Sequence, residues 1–153
     1  MKQDGIVLLT LDDRDEVKSL WKENRGTMSI PYNEIVDRTL NTGSFYGIYE
    51  NGRLVCMGGF QTMKRKPENR IIHLCVKKEK RRRGYGKRLV RYICEKIAEL
   101  DNGKESVVYF VEGAENNGFW MKYVKDNPCR IEHDGMNTLR GVMDFNKTLK
   151  NGD

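Results

Sequence analysis

Arg70–Leu100 reads RIIHLCVKKEKRRRGYGKRLVRYICEKIAEL, and within that span its character changes twice. Arg70–Val76 is β-branched and apolar enough to predict a strand buried in the middle of a sheet. From Leu89 the period becomes helical. Leu89, Ile93, Ile97 and Leu100 recur on one face, joined by Val90 and Cys94, with Arg91, Glu95 and Glu99 on the wet side. Asp101-Asn102-Gly103 predicts where that helix stops. Ser106–Val111 then reads as another strand, so the segment needs a crossover connection and predicts one parallel strand pair.

Between strand and helix lies a basic loop. Arg81-Arg82-Arg83-Gly84-Tyr85-Gly86-Lys87 has both glycines where the chain enters the helix. A helix start presents N–H groups without internal partners and a partial positive charge, and together these bind phosphate. Glycine lets a pyrophosphate approach the backbone, and arginine and lysine add charge. A nucleoside-triphosphate loop requires GxxxxGK[ST], which is absent. A dinucleotide fingerprint requires a third glycine where Leu89 stands. The pattern present is [Gln/Arg]-x-x-Gly-x-[Gly/Ala], as Arg81-x-x-Gly84-x-Gly86.

The charge of the chain points to the same place. The net charge is +6, which suggests an anionic partner: nucleic acid, a membrane surface or a phosphate-rich cofactor. Lys77, Lys78, Lys80, Arg81–Arg83, Lys87, Arg88 and Arg91 crowd one stretch, with a smaller cluster at Lys64–Lys66. The first forty residues are acidic instead (Asp12, Asp13, Asp15, Glu16, Glu23, Glu34, Asp37).

Working outward, Ile6–Thr10 reads as a first strand. Asp12 and Asp13 are placed to cap a helix carrying Val17, Leu20 and Trp21. Pro31 suits the start of a second helix, continued by Ile35, Val36, Thr39 and Leu40 to Gly43. SFYGIYE and RLVCMGGFQT flank Asn51-Gly52, the signal of a type I′ hairpin. Pro67 breaks the chain before the Arg70 strand. After Val111 come a helix around Glu115–Lys125, a break at Asn127-Pro128, and two strand runs, Cys129–His133 and Thr138–Phe145. The order β-α-α-β-β-β-α-β-α-β-β predicts an α/β (α+β) fold. Its expected core is a mixed, mostly antiparallel twisted sheet of about seven strands with helices on both faces. At 153 residues a single domain over 1–153 is expected.

Other classes fit poorly. No apolar run approaches the ~20 residues of a membrane helix, and the N-terminus runs straight into acids without a cleavage site, so a cytoplasmic location is expected by default. Cys56, Cys75, Cys94 and Cys129 lie singly in apolar stretches and read as buried thiols. With His73 and His133 the sole histidines, no metal site is expected.

The stretch IIHLCVKKEKRRRGYGKRLVRYI resembles the acetyl-CoA-binding motif of the GNAT acetyltransferases, and RGYG is a form also found among their histone-modifying members. The element order and the hairpin at Asn51-Gly52, with Gly58 in its second strand, are similar too. The likeness extends from about Gly43 to Phe145 and is specific over 70–100. It implies transfer of acetyl from acetyl-CoA, as co-substrate, to a primary amine of a small molecule or protein, by direct attack and without an acyl-enzyme. Cys75, on the cofactor strand, is the one covalent candidate and reads better as a core thiol. By this resemblance Arg81, Arg82, Arg83, Gly84, Tyr85, Gly86 and Lys87 form the pyrophosphate loop. The backbone of Leu74 and Val76 would pair with the pantetheine arm, one amide there polarising the thioester carbonyl, and Asn116 would touch the arm. Where the family often has a base glutamate this chain has Arg70, so His73, Glu112 or a water chain stands in for it. The family's Asn-x-x-Ala-x-x-x-Tyr is matched by Asn116 and Tyr123, with Phe119 at the small position; Tyr123 is then the general acid. A second register puts Trp120 in the tyrosine's place. Segment 12–42 would shape the acceptor side, and the C-terminal strands often serve pairing in the family, which leaves a homodimer open.

Two other functions stay in view: a GNAT-like domain that binds acyl-CoA without catalysis, and a basic nucleic-acid-binding domain. The second is disfavoured because the basic residues lack interleaved aromatics beyond Tyr85 and Tyr92.

Overall fold

The computed structural model describes residues 4–24, 34–63, 68–100, 107–109, 129–133 and 139–143. In chain order these form β1 (Gly5–Leu8), α1 (Arg14–Glu23), α2 (Glu34–Leu40), β2 (Phe45–Glu50), β3 (Arg53–Met63), β4 (Glu68–Val76), α3 (Tyr85–Leu100), β5 (Val107–Tyr109), β6 (Cys129–His133) and β7 (Leu139–Met143). Short 3₁₀ turns precede α1 (Leu11–Asp13) and the basic loop (Lys78–Lys80).

β1 to β5 lie in sequence order in one sheet, antiparallel except for the parallel β4–β5 pair. The mixed, mostly antiparallel α+β architecture is therefore as expected. The count differs. Among the described residues five strands share the sheet, and β6 and β7 form a separate antiparallel pair. β7 runs beside β5.

Both faces are covered, by different means. On one, Leu89, Val90, Ile93, Cys94 and Ile97 of α3 pack on Tyr46, Ile48, Cys56, Phe60 and Ile71. Each of those five α3 side chains is fully buried, and burying a leucine, isoleucine or valine side chain contributes about 1.5–3 kcal/mol. On the other, Val17, Leu20 and Trp21 of α1 and Leu40 of α2 cover Phe45, Tyr49, Leu54, Met57 and Cys75. β2 is buried on both sides, which explains its unbroken apolar sequence. The Asn51-Gly52 turn has both residues at positive φ, 52° and 75°, as a type I′ hairpin demands.

The start of α1 corrects one expectation. Thr10, and not Asp12 or Asp13, caps the turn that leads into it: its Oγ accepts from Asp12 N, while Asp13 Oδ2 accepts from Thr10 N at 2.9 Å. Asp13 stands at the N-cap of α1 without capping it. Its other oxygen is held by Tyr49 Oη at 2.8 Å, so this buried carboxylate ties the helix to the sheet. Pro31, the helix expected around Glu115–Lys125, the Asn127-Pro128 break and the outer residues of several expected strands lie outside the described residues. None of the described helices is long and apolar enough to cross a membrane.

Candidate functional site at the head of helix α3

Among the described residues β4 pairs with β5 at Glu68–Arg70. Among the described residues the rest of that edge, Ile71–Val76, faces no strand. Its other edge follows β3, with one irregularity: Met57 pairs with Cys75 and Gly59 with Ile72, so His73 and Leu74 together face Gly58. This is a β-bulge, and His73 makes it by adopting a left-handed φ of 56°. Gly58 accommodates the crowding, since a Cβ there would meet Leu74 Cδ1 at 3.1 Å. Beyond the bulge, Lys77 N donates to Val55 O at 2.8 Å. Alternation along the strand then turns the Val76 N–H and C=O away from β3. Leu74 and Val76 side chains pack on the α3 core, whereas Cys75 belongs to the α1 core.

The basic loop departs from this strand end. Arg82 has φ 63° and Gly84 φ 85°, on either side of Arg83, which has negative φ. Such alternation of hand turns successive N–H groups to one concave side, a geometry that receives anions. Arg88 N bonds Gly84 O at 3.0 Å, so the loop runs straight into the first turn of α3, the helix end that favours anions. A Cβ on Gly84 would meet nothing within 4 Å, so the space beside it is open. Arg82, Arg83, Lys87 and Arg88 are exposed around it, and Gly86 is buried.

Two ties hold the loop. At its head, Arg81 Nε donates to Val76 O at 3.3 Å and Arg81 Nη2 to Asn24 Oδ1, at the C-terminal end of α1. At its tail, Glu50, the last residue of β2, accepts from Lys80 Nζ at 2.7 Å and from the Tyr85 hydroxyl. Lys80, and after it Tyr85, hold the Glu50 carboxyl below its ordinary range, and Glu50 in turn raises both partners. Neither Asn24 nor Glu50 stands out in the sequence. Asn24 is 57 residues from Arg81, and Glu50 is 35 from Tyr85. The one local hint is that Glu50 abuts the Asn51-Gly52 turn.

The other residues singled out from sequence divide as follows. His73 is half-buried, its ring 4.9 Å from that of Trp21 and edge-on to Phe45 at 6.1 Å. Cys56, Cys75 and Cys94 are buried thiols, and burial raises the Cys75 thiol well above its usual range. Glu112, Asn116, Phe119, Trp120 and Tyr123 lie outside the described residues.

Comparison with known proteins follows this geometry. No curated protein matches the chain. Among solved structures, N-acetylglutamate synthase from Neisseria gonorrhoeae, complexed with coenzyme A and N-acetyl-glutamate, is similar over 93% of this chain at 17% identity, TM-score 0.72. The match takes in 36% of that protein, so this chain spans little more than a third of its length. An acetyltransferase of the GNAT family from Staphylococcus aureus Mu50 matches over 92% of this chain and 99% of its own, at 14% identity and TM-score 0.69. The PaiA N-acetyltransferase of Thermoplasma acidophilum, solved with coenzyme A, matches over 92% and 98%, at 17% identity and TM-score 0.61. At such identities the likeness is one of fold. The family model described as "Acetyltransferase (GNAT) family" matches residues 12–122. That interval starts in the turn before α1 and passes beyond β5, taking in the loop and both of its ties, and on that footing the chain belongs to the GNAT acetyltransferase family.

Proposed function

We propose that the chain transfers an acetyl group from acetyl-CoA to a primary amine of a small molecule or protein, by direct attack within a ternary complex. The observation that carries this reading is the pairing of a left-handed, basic loop at the head of α3 with a β4 edge that, among the described residues, has no strand partner beyond Arg70. The amides from Arg82 to Lys87, and the arginines among them, would hold the coenzyme pyrophosphate. The backbone of Leu74 and Val76 would pair with the pantetheine arm, and Asn116 would touch it. Bound there, acetyl-CoA supplies an activated thioester carbonyl, which a backbone amide of β4 would polarise.

Two proton transfers remain. A lysine-type amine has a pKa near 10.4 and an α-amine one near 8, so a base must act at neutral pH. His73 and Glu112 are the candidates. The packing of His73 on Trp21 and Phe45 favours a structural ring and so speaks for Glu112. Tyr123 would protonate the departing sulfur. Direct attack, in preference to an acyl-enzyme, draws support from the buried Cys75, whose raised thiol makes a poor nucleophile. Segment 12–42 would present the acceptor, and the cytoplasm is the proposed compartment.

The test is thiol release from acetyl-CoA across a panel of amines, from polyamines and amino acids to peptide N-termini and lysyl peptides. Amine-dependent release that falls at least about tenfold in Tyr123→Phe supports the reaction and its acid. Acetyl-CoA binding without turnover on any amine would leave a non-catalytic acyl-CoA-binding domain.

A further inference from the structure

Arg81 opens the phosphate loop, and the charge on its guanidinium invites assignment as a phosphate ligand. Its hydrogen bonds point elsewhere. Nε reaches back to the Val76 carbonyl and Nη2 crosses to Asn24 on the opposite face of the sheet. Asn24 is 1% exposed. Its Nδ2 donates to Leu20 O at 2.9 Å, and its own N–H closes the last turn of α1 on Leu20 O and Trp21 O. Asn24 is thereby fixed by the helix end and presents its one side-chain acceptor to the loop. Arg82 and Arg83, the next two cations, are exposed, as is Arg81, but Arg81 is the one whose guanidinium is bonded to fixed acceptors of α1 and β4.

We infer that Arg81 and Asn24 are positioning residues for the coenzyme loop: the buried amide at the end of α1 holds the guanidinium, the guanidinium holds the Val76 carbonyl, and the two together set where the loop leaves β4. Phosphate charge is met by Arg82 and Arg83. The physical reason is geometric. A planar guanidinium that donates through two of its nitrogens to two fixed acceptors is oriented by both. A buried amide in turn keeps its place only while its polar atoms are bonded. The consequence is that the acceptor-side helix and the coenzyme loop share one hydrogen-bonded link, so damage at Asn24 is felt at the coenzyme. This rests on the acetyl-CoA reading given above.

Salt dependence separates the two roles, because a cation that meets phosphate contributes to the salt sensitivity of binding and a bonded positioning cation does not. Acetyl-CoA affinity is to be measured by calorimetry at low and moderate salt for the wild type, Asn24→Ala, Asn24→Asp, Arg81→Gln, the Asn24→Ala/Arg81→Gln double variant and Arg82→Gln, with thermal unfolding of each. Asn24→Ala and Arg81→Gln are each expected to weaken binding about tenfold with the wild-type salt dependence retained, and the double variant to be no weaker than about tenfold, since both remove one link. Asn24→Asp keeps the acceptor for Arg81 while losing the donor to Leu20, and should recover affinity to within about threefold of wild type. Arg82→Gln should flatten the salt dependence. Multiplying losses in the double variant, or a salt dependence that flattens in Arg81→Gln as it does in Arg82→Gln, overturns the inference and makes Arg81 a phosphate ligand. Wild-type protein that does not bind acetyl-CoA at all fails the functional reading itself, and the inference with it.

Discussion

The two faces of the sheet are built on different terms. The α3 face is mostly apolar: Leu89, Val90, Ile93, Cys94 and Ile97 meet Ile48, Cys56, Phe60 and Ile71, with Tyr46 at its margin. The α1 face has a comparable apolar layer around Trp21 and Phe45, but polar groups thread it. Asp13 and Asn24 are buried there, and Asp13 bonds the Tyr49 hydroxyl. Apolar contact is strong and carries no direction, whereas a buried hydrogen bond adds little net free energy yet specifies a position. In this fold the strong attachment and the aiming sit on opposite sides. α3 is held by its apolar face, while the loop at its head is aimed by Asn24 from the far face and by Glu50 from the end of β2.

If that division is right, damage to the α3 face should cost stability first. Ile93→Ala deletes a fully buried side chain and is expected to destabilise the fold by about 2–5 kcal/mol, read from the shift in the urea midpoint at constant m. A loss below about 1 kcal/mol would mean that α3 is not the dominant attachment.

The α1 face should respond less, and through its polar ties. Tyr49→Phe removes a buried hydroxyl and leaves Asp13 Oδ1 without that donor; about 1–2 kcal/mol is expected. Tyr49→Phe as costly as Ile93→Ala would erase the contrast between the faces.

The Glu50 tie is half-exposed and screened, so the smallest effect belongs to it. Lys80 and Tyr85 lower the carboxyl below its ordinary value of 4.5. A lowered carboxyl contributes stability above its unfolded pKa and loses that contribution as pH falls through the folded value. The difference in Tm between wild type and Glu50→Gln should therefore be constant near neutral pH and close as pH drops below 4.5. A gap that widens under acid would mean Glu50 is not the charged partner of Lys80.

What the sequence disclosed follows the same division. The α3 period, the strand before it and the Asn51-Gly52 turn are local signals, each confined to a few neighbouring residues, and all were legible, though the strand expected to be buried mid-sheet has Ile72, His73, Leu74 and Val76 half-buried. So was the parallel pair, because a helix between two strands requires a crossover. The bulge was not, because its left-handed residue is a histidine, with the accommodating glycine on the facing strand at Gly58. The cap of α1 was misplaced by two acids that stand next to Thr10 and have other partners. Asn24 with Arg81, and Glu50 with Tyr85, meet only once the sheet has formed, and no spacing in the chain joins them. The proposed loop was legible as a pattern, its ties were not, and Glu112, Asn116 and Tyr123 fall outside the described residues.

The most direct measurement is calorimetric titration of the protein with acetyl-CoA, against ADP and a short RNA as controls, at moderate salt and repeated with Gly84→Glu. Gly84 lies at φ 85° in open space, so a glutamate there adds both backbone strain and a negative charge to the proposed phosphate site. Saturable micromolar binding of acetyl-CoA that Gly84→Glu abolishes, with RNA inert, is the expected result. No acetyl-CoA binding, together with RNA binding that collapses as salt rises, would contradict the account and make the basic loop a nucleic-acid contact.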